Sequence, residues 1–115
     1  MPYLNIETNG SLAPSKSGSI LKNLSTQIAS LLDKPEDYVM VRIGFSPSMS
    51  FAGTTEACAF CILINLGLDD LQIPDLSQTL TNAVSHGLSI RPERIYLRFE
   101  SPQRSHFAHN GNPFA

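Results

Sequence analysis

The order strand–helix–strand occurs twice along this chain of 115 residues, and that repetition restricts its fold more than any other feature. Strands are indicated by apolar residues that alternate with polar ones, and helices by apolar residues that recur every three or four positions. The six segments are residues 3–7, 20–32 and 39–43, then 58–66, 76–87 and 95–99. Two such units joined by right-handed crossovers predict an α+β fold with a four-stranded mixed sheet and both helices on one face.

The junction between helix and second strand reads alike in both halves, at Lys34-Pro35-Glu36 and at Arg91-Pro92-Glu93. Each of these tripeptides precedes a strand near a tyrosine, and the surrounding order of elements is the same. We therefore predict a single domain over residues 1–115, with an internal pseudo-repeat of about 1–56 and 57–115.

Turn-forming residues set the predicted ends of the helices. The first helix is expected to begin between Pro14 and Ser19 and to stop before Pro35, because a residue that precedes proline disfavours helical geometry. The second is expected to begin near Pro74 and to be capped by Gly87, since glycine readily adopts the left-handed conformation that ends helices.

The composition excludes several classes of protein. Hydrophobic residues make up 42% and charged residues 16%, which is a globular balance and not that of a disordered tail. A net charge of -2 gives no reason to expect nucleic acid as a partner. The longest apolar run, Ala57 to Ile64, is far shorter than the ~18–20 residues of a membrane span. No basic segment followed by an apolar stretch opens the chain, so we expect a cytoplasmic protein, with export without a signal peptide left open.

The segment from Cys58 to Leu66 is apolar on both of its faces, which favours a central strand over an edge strand. With both helices on one face, the other face of the sheet would expose a few hundred square ångströms of apolar surface, which is unusual for a monomer. We therefore expect the bare face to pack against other subunits.

Pro2 is the first residue with chemical potential. Initiator methionine is generally removed when a small residue follows, and its removal would leave the Pro2 nitrogen as a free secondary amine. Burial and a nearby cation both disfavour the ammonium form, so they would lower the pKa of this amine toward neutrality and make it a base. Proline at this position is also compatible with no function at all.

Further short motifs stand in a fixed order along the chain: Met1-Pro2 opening a strand, Lys34-Pro35, Ser50 to Glu56, Cys58 to Cys61, Arg91 to Tyr96, and Asn110 to Ala115. Together with the chain length and the repeated strand–helix–strand units, they resemble the macrophage migration inhibitory factor family of the tautomerase superfamily. The resemblance covers the whole chain.

The resemblance implies an isomerase that needs no cofactor and interconverts the keto and enol forms of phenylpyruvate-like, aryl-bearing α-keto acids. It implies Pro2 as the catalytic base and Lys34 as the residue that binds the substrate carboxylate and keeps the proline neutral. It further implies a homotrimer with the pocket between subunits, in which the neighbour donates Tyr96 and Arg98. The other implied substrate-binding positions are Asn65, Leu66, Tyr38, Phe107 and Phe114.

The chain departs from the mammalian pattern at several of these positions. Arg98 stands where the mammalian proteins have asparagine, so a second cation is expected in the pocket, where it could share or take over the role of Lys34. The alternative is that Arg98 is a solvated strand residue. Phe107 and His109 replace an aliphatic residue and a tryptophan, which reshapes the expected rim of the pocket.

Two other patterns admit a redox or metal interpretation. Cys58 and Cys61 resemble a thiol–disulfide motif, but residues three apart on a strand point to opposite faces and lie ~10 Å apart, which is too far for a disulfide. We therefore expect two reduced, structural cysteines. His106 and His109 lack a second pair of ligands, so no metal site is expected.

A different class of function stays open beside the enzyme. The chain could be a cytokine-like ligand of an unidentified protein receptor, with the pocket as a vestige. An enzyme of the proposed kind requires a free Pro2 amine and a cation in the pocket, whereas a pure ligand requires neither.

Overall fold

The computed structural model describes residues Met1 to Ala115 and contains a four-stranded sheet with the strand order β2-β1-β3-β4. The main elements are β1 (Tyr3–Thr8), α1 (Pro14–Leu32), β2 (Met40–Phe45), β3 (Ala59–Ile64), α2 (Ile73–Leu88) and β4 (Ile95–Glu100). β1 pairs with β2 and β3 pairs with β4 in parallel, while β1 and β3 are antiparallel. The predicted mixed sheet, with the doubly apolar strand at its centre, is confirmed.

Both helices cover the same face of this sheet. A single cluster of 12 buried residues joins the inward side chains of β1 and β3 to those of the two helices. Its members are Leu4, Ile6, Leu24, Ile28, Leu32, Ala59, Cys61, Leu63, Leu76, Leu80, Val84 and Ile90. Each fully buried leucine, isoleucine or valine of this set stabilises the fold by about 2 kcal/mol relative to exposure. Neither helix has the combination of length and apolar character that a membrane crossing requires.

The helices end on residues that the sequence did not single out. α1 stops at Leu32 because Asp33 adopts a left-handed conformation with φ 52°, two residues before Pro35. The prediction that Gly87 caps α2 is wrong, since the helix continues to Leu88 and Ser89 takes the left-handed position with φ 55°. A Cβ atom at Gly87 would lie 3.3 Å from Ile20 Cγ2, so this glycine allows α1 to pack closely against α2.

The second face of the sheet, here called the open face, carries no helix. Its apolar side chains include Met40, Phe60 and Tyr96, and the exposed fractions of Met40 and Tyr96 reach 65% and 59%. Arg42 of β2 forms an ion pair with Glu7 of β1 on this face. The open face therefore mixes apolar side chains with paired charges.

A buried arginine fixes the long loop between β2 and β3. Arg94 is only 5% exposed, and its guanidinium donates hydrogen bonds to the backbone carbonyls of Ala57, Phe51 and Glu56 at 3.0, 3.1 and 3.0 Å. A longer bond of 3.4 Å reaches the Thr54 carbonyl, and the guanidinium lies 5.3 Å from the centre of the Phe51 ring. A buried cation requires polar partners, and these backbone carbonyls supply them without any carboxylate.

Candidate functional site

The amino terminus lies at the end of the sheet where β2, β1 and β3 meet. Pro2 is buried directly before β1, and its carbonyl accepts a hydrogen bond of 3.0 Å from the Met40 backbone N–H. The terminal amine of Met1 donates to Oδ1 of Asn65, which is buried just after β3, at 3.4 Å. Both neighbouring strands therefore hold the terminal residues in place.

A small recess of about 210 Å³ opens beside this amine. Seven residues line it: Met1, Lys34, Pro35, Tyr38, Leu66, Arg104 and Phe114. The left-handed turn at Asp33 brings Lys34 to the recess, and the Lys34 backbone N–H donates to the Ala29 carbonyl at 3.0 Å. The end of α1 thus positions a lysine at the amino terminus.

A larger and mostly apolar recess of about 520 Å³ shares Met1, Tyr38 and Phe114 with the small recess. Its remaining lining residues are Pro2, Tyr3, Asp37, Val39, Met40, Ile64, Phe107, Ala108 and His109. The amino terminus therefore lies between a cationic recess and an apolar one. Such a pair of surfaces suits a ligand with an acidic end and an apolar end.

The carboxyl-terminal segment supplies the aromatic wall of the larger recess. A short ribbon of β5 (Ala108–His109) and β6 (Asn112–Pro113) folds back on itself through Asn110 and Gly111, whose φ values are 52° and 81°. Asn-Gly is a strong signal for such a two-residue turn.

The ribbon brings four rings together. The backbone N–H of Phe114 donates to the Phe107 carbonyl at 3.0 Å, and the two ring centres are 5.9 Å apart. His109 stacks on Phe114 at 6.4 Å and meets the edge of Tyr38 at 5.4 Å.

The electrostatic surroundings favour the neutral form of the terminal amine. Burial, followed by the charges of Lys34 and Arg104, lowers the pKa of the Met1 amine below its ordinary value of 8.0. Burial acts by removing water from the ammonium, and the two cations act by repulsion. An amine with a lowered pKa is deprotonated at lower pH and can then accept a proton from a ligand.

The structure brings most of the sequence-predicted site residues to one place. Those that border one or both recesses or contact the terminal amine are Pro2, Lys34, Tyr38, Asn65, Leu66, Phe107 and Phe114. Tyr96 and Arg98 lie elsewhere in this chain, on β4 at the far edge of the sheet. The Tyr96 ring packs 4.9 Å from that of Phe51, and Arg98 pairs with Glu100 at 3.2 Å.

Sequence reasoning missed Arg104 and Asp37 as lining residues. Arg104 precedes the ribbon in the chain, and only the fold shows that this segment returns to the amino terminus. The Asn110-Gly111 pair could have revealed the ribbon, and with it a reversal of the chain near Phe107.

The two cysteines are free, and both are buried. Burial raises the pKa of the Cys61 thiol to about 12, which disfavours the reactive thiolate. Cys58 lies directly before β3, and Cys61 belongs to the helix-covered core. No group of three or more histidine, cysteine, aspartate or glutamate side chains is arranged to hold a metal ion.

Comparison with known proteins gives one family. The sequence matches the macrophage migration inhibitory factor family over residues 1–115. The homolog from Brugia malayi is 32% identical over 117 residues, covering 99% of each chain, and the rat protein is 31% identical over 116 residues, covering 100% of each. The crystal structure of a homologue from Prochlorococcus marinus has a TM-score of 0.92 at 30% identity and covers 98% of this chain and 99% of that chain.

Proposed function

Because the chain belongs to the macrophage migration inhibitory factor family, we propose that it is a cofactor-independent keto–enol tautomerase of aryl α-keto acids. Pro2 is the base in this proposal, and it acts once Met1 has been removed. The observation that carries the proposal is the partly buried terminal amine, whose pKa is lowered and which lies between a cationic and an apolar recess.

Removal of Met1 moves the basic nitrogen by one residue. With Met1 in place, the Pro2 nitrogen belongs to a tertiary amide and cannot accept a proton. After removal, the Pro2 amine is the terminal group, and it stays close to the same recesses because the Pro2 carbonyl is held by Met40. We expect the same surroundings that lower the pKa of the Met1 amine, namely burial and the charges of Lys34 and Arg104, to favour the neutral form of the Pro2 amine.

The proposed reaction moves one proton between carbon and oxygen. The neutral Pro2 nitrogen takes a proton from the carbon between the ketone and the aryl ring, and the C–H electrons form a carbon–carbon double bond. The carbonyl electrons pass to oxygen, and the Pro2 ammonium then gives the proton to that oxygen. The amine is neutral again, and the enol has the same composition as the ketone. Such general base catalysis typically contributes about 10²–10⁴-fold to a rate.

The remaining residues bind the substrate in this proposal. Lys34 pairs with the carboxylate in the small recess, while Tyr38, Phe107 and Phe114 contact the aryl ring in the larger recess. Asn65 and Leu66 border the reacting end of the substrate. Charge-assisted hydrogen bonds of the lysine–carboxylate kind are about twice as strong as neutral ones.

We also propose that three copies assemble through the open face, with Tyr96 and Arg98 reaching the pocket of a neighbouring subunit. The exposed apolar side chains of Met40, Phe60 and Tyr96 support an interface on this face. Sedimentation at micromolar concentration is expected to give about three times the chain mass of 12.6 kDa. A stable, active monomer would contradict both the assembly and the shared pocket.

The decisive experiment is a tautomerisation assay with phenylpyruvate, followed by the ultraviolet absorbance of the enol. Intact mass spectrometry first separates preparations that have lost Met1 from those that retain it. Only the form with a free Pro2 amine is expected to be active, because in the other form the Pro2 nitrogen is an amide and the basic nitrogen belongs to Met1, one residue away.

Protein that is acetylated at the Pro2 amine and not at its lysines, as checked by peptide mass spectrometry, provides the matched control, since it lacks the base and keeps every side chain unchanged. Full activity of the acetylated protein, or of protein that retains Met1 quantitatively, would exclude Pro2 as the base. Inactivity of the free-amine form toward aryl α-keto acids would instead favour a protein-binding ligand with a vestigial pocket.

A further inference from the structure

Arg104 lines the small recess, and no carboxylate side chain in that recess pairs with its charge. Three arginines form ion pairs with glutamates, namely Arg42, Arg91 and Arg98, and Arg94 is satisfied by backbone carbonyls. Arg104 takes part in no ion pair, and the same holds for Lys34 on the opposite element.

The fold brings these two unpaired cations together from distant parts of the chain. Lys34 follows the left-handed end of α1, whereas Arg104 begins a 3-10 turn, Arg104–His106, ahead of the aromatic ribbon. Both side chains line the small recess, and both charges act on the terminal nitrogen beside it. No carboxylate side chain lines the small recess. Asp37, the one carboxylate that lines either recess, borders only the larger one.

Two like charges without a partner in one recess are unfavourable unless an anion enters it. We infer that Arg104 and Lys34 together bind the carboxylate of the substrate, so that a single chain supplies both cations of the anion site. This inference rests on the proposed function. The guanidinium can bind both carboxylate oxygens at once, and the lysine adds a point charge. The site then selects acids over uncharged esters and amides of the same shape.

This assignment differs from the sequence expectation that Arg98 is the second cation. Arg98 lies on β4, and its recess also contains Glu100, with which it pairs at 3.2 Å. The pair engages Nε of Arg98 and offsets part of its charge, so Arg98 attracts a substrate carboxylate less strongly than an unpaired arginine does. Arg104 has no such competitor.

The test uses two unreactive probes, 3-phenylpropionate and its amide, and measures their binding to the purified protein by titration calorimetry. Arg104→Gln is expected to weaken binding of the acid about tenfold or more, since a hydrogen bond to a charged group is lost. Binding of the amide is expected to stay unchanged. Arg104→Lys keeps the charge and is expected to restore part of the loss, and Arg91→Gln, an exposed arginine paired with Glu56, is the matched control.

The outcomes separate this inference from the proposed function. If the unaltered protein binds the acid through Arg104 but does not tautomerise phenylpyruvate, the anion site stands and the proposed function fails. If Arg104→Gln binds the acid as tightly as the unaltered protein, or weakens acid and amide equally, the inference is overturned. A protein that binds neither probe overturns it as well.

Discussion

The two junctions between helix and second strand have similar backbone conformations but differ in the groups that surround their cations. α1 and α2 both end in a left-handed residue, Asp33 and Ser89, with φ values of 52° and 55°. A 3-10 turn follows in each case, at Glu36–Tyr38 and at Pro92–Arg94, and each then leads into a strand that pairs in parallel with the strand before the helix.

The cations of the two junctions differ in whether they have partners. At the first, Lys34 has no ion-pair partner and borders the small recess. At the second, Arg91 pairs with Glu56 at 2.6 Å and with Glu93 at 3.6 Å. Arg94 is buried there and bonded to the carbonyls of the loop before β3.

This difference in pairing distinguishes cations that stabilise the fold from a cation that can act on the terminal amine or on a ligand. The second junction uses its cations to hold the chain, and every one of them has its partners. The first leaves its cation free beside the amino terminus, at some electrostatic cost to the fold. The proposed anion site requires that cost, because its cation must stay unpaired until a ligand binds.

The largest effect is expected from removing the buried cation of the second junction. Arg94→Met keeps much of the volume but leaves the carbonyls of Phe51, Glu56 and Ala57 without donors. These hydrogen bonds are part-buried, so each acceptor left without its donor costs about 1 kcal/mol, at the low end of the range for buried groups. The free energy of unfolding should therefore fall by about 3 kcal/mol.

Urea denaturation measures this loss, with Arg91→Met as the exposed control, for which a change within about 1 kcal/mol is expected. If both variants lose the same small amount, the contrast between a buried and an exposed cation at the second junction is wrong.

The next effect is expected at the first junction, on activity instead of stability. Lys34→Ala removes the proposed partner of the substrate carboxylate, so kcat/KM for phenylpyruvate should fall about 10- to 100-fold. Stability should change little, because Lys34 forms no ion pair and no side-chain hydrogen bond.

Arg91→Ala stands at the corresponding position of the second junction and is expected to leave kcat/KM unchanged. Steady-state kinetics of both variants decide the matter. An equal loss in the two would indicate that the charge of the junction, and not its place at the recess, matters for activity.

The likeness of the junctions could be predicted from the sequence, whereas their difference could not. Alternating apolar residues and Lys34-Pro35 or Arg91-Pro92 indicate the same local structure, and the four-stranded sheet follows from connection rules. Which cation is free depends on segments far away in the chain, such as the loop that carries Glu56 and the ribbon that follows Arg104.

The error at Gly87 has a related cause. Residue type favours glycine at a helix end, but close packing against Ile20 also requires a residue without a side chain.

The pseudo-repeat as an event of duplication stays a prediction, and so do the trimer and the donation of Tyr96 and Arg98 by a neighbour.

A smaller effect of the same sign is expected at the two helix ends. Ser89→Gly is expected to stabilise the protein by about 1 kcal/mol, because a left-handed conformation strains residues that carry a Cβ atom. Asp33→Gly should gain less, since aspartate tolerates this conformation better. Thermal or urea unfolding measures both, and destabilisation by Ser89→Gly would show that the serine side chain has a role that the backbone geometry does not explain.

The last prediction concerns the pKa of the terminal amine, which burial, Lys34 and Arg104 lower in that order. Lys34→Gln should raise this pKa, Arg104→Gln should raise it less, and the double variant should raise it more than either. Nuclear magnetic resonance titration of the labelled amine reports the value directly, and Arg91→Gln, at the other junction, should leave it unchanged.

The sign of the stability effect follows from proton binding. Because the pKa in the folded state lies below 8.0, the unfolded chain binds more protons at this group between the two values, so stability rises as the pH increases through that window. Lys34→Gln should bring the folded-state pKa closer to 8.0, so the pH range over which stability rises should become narrower and the total gain in stability smaller. Added salt should raise the pKa in the unaltered protein, since it screens repulsion from the two cations but leaves burial unchanged. It should do so much less in the double variant, and an equal response in both would mean that burial alone sets the basicity of the amine.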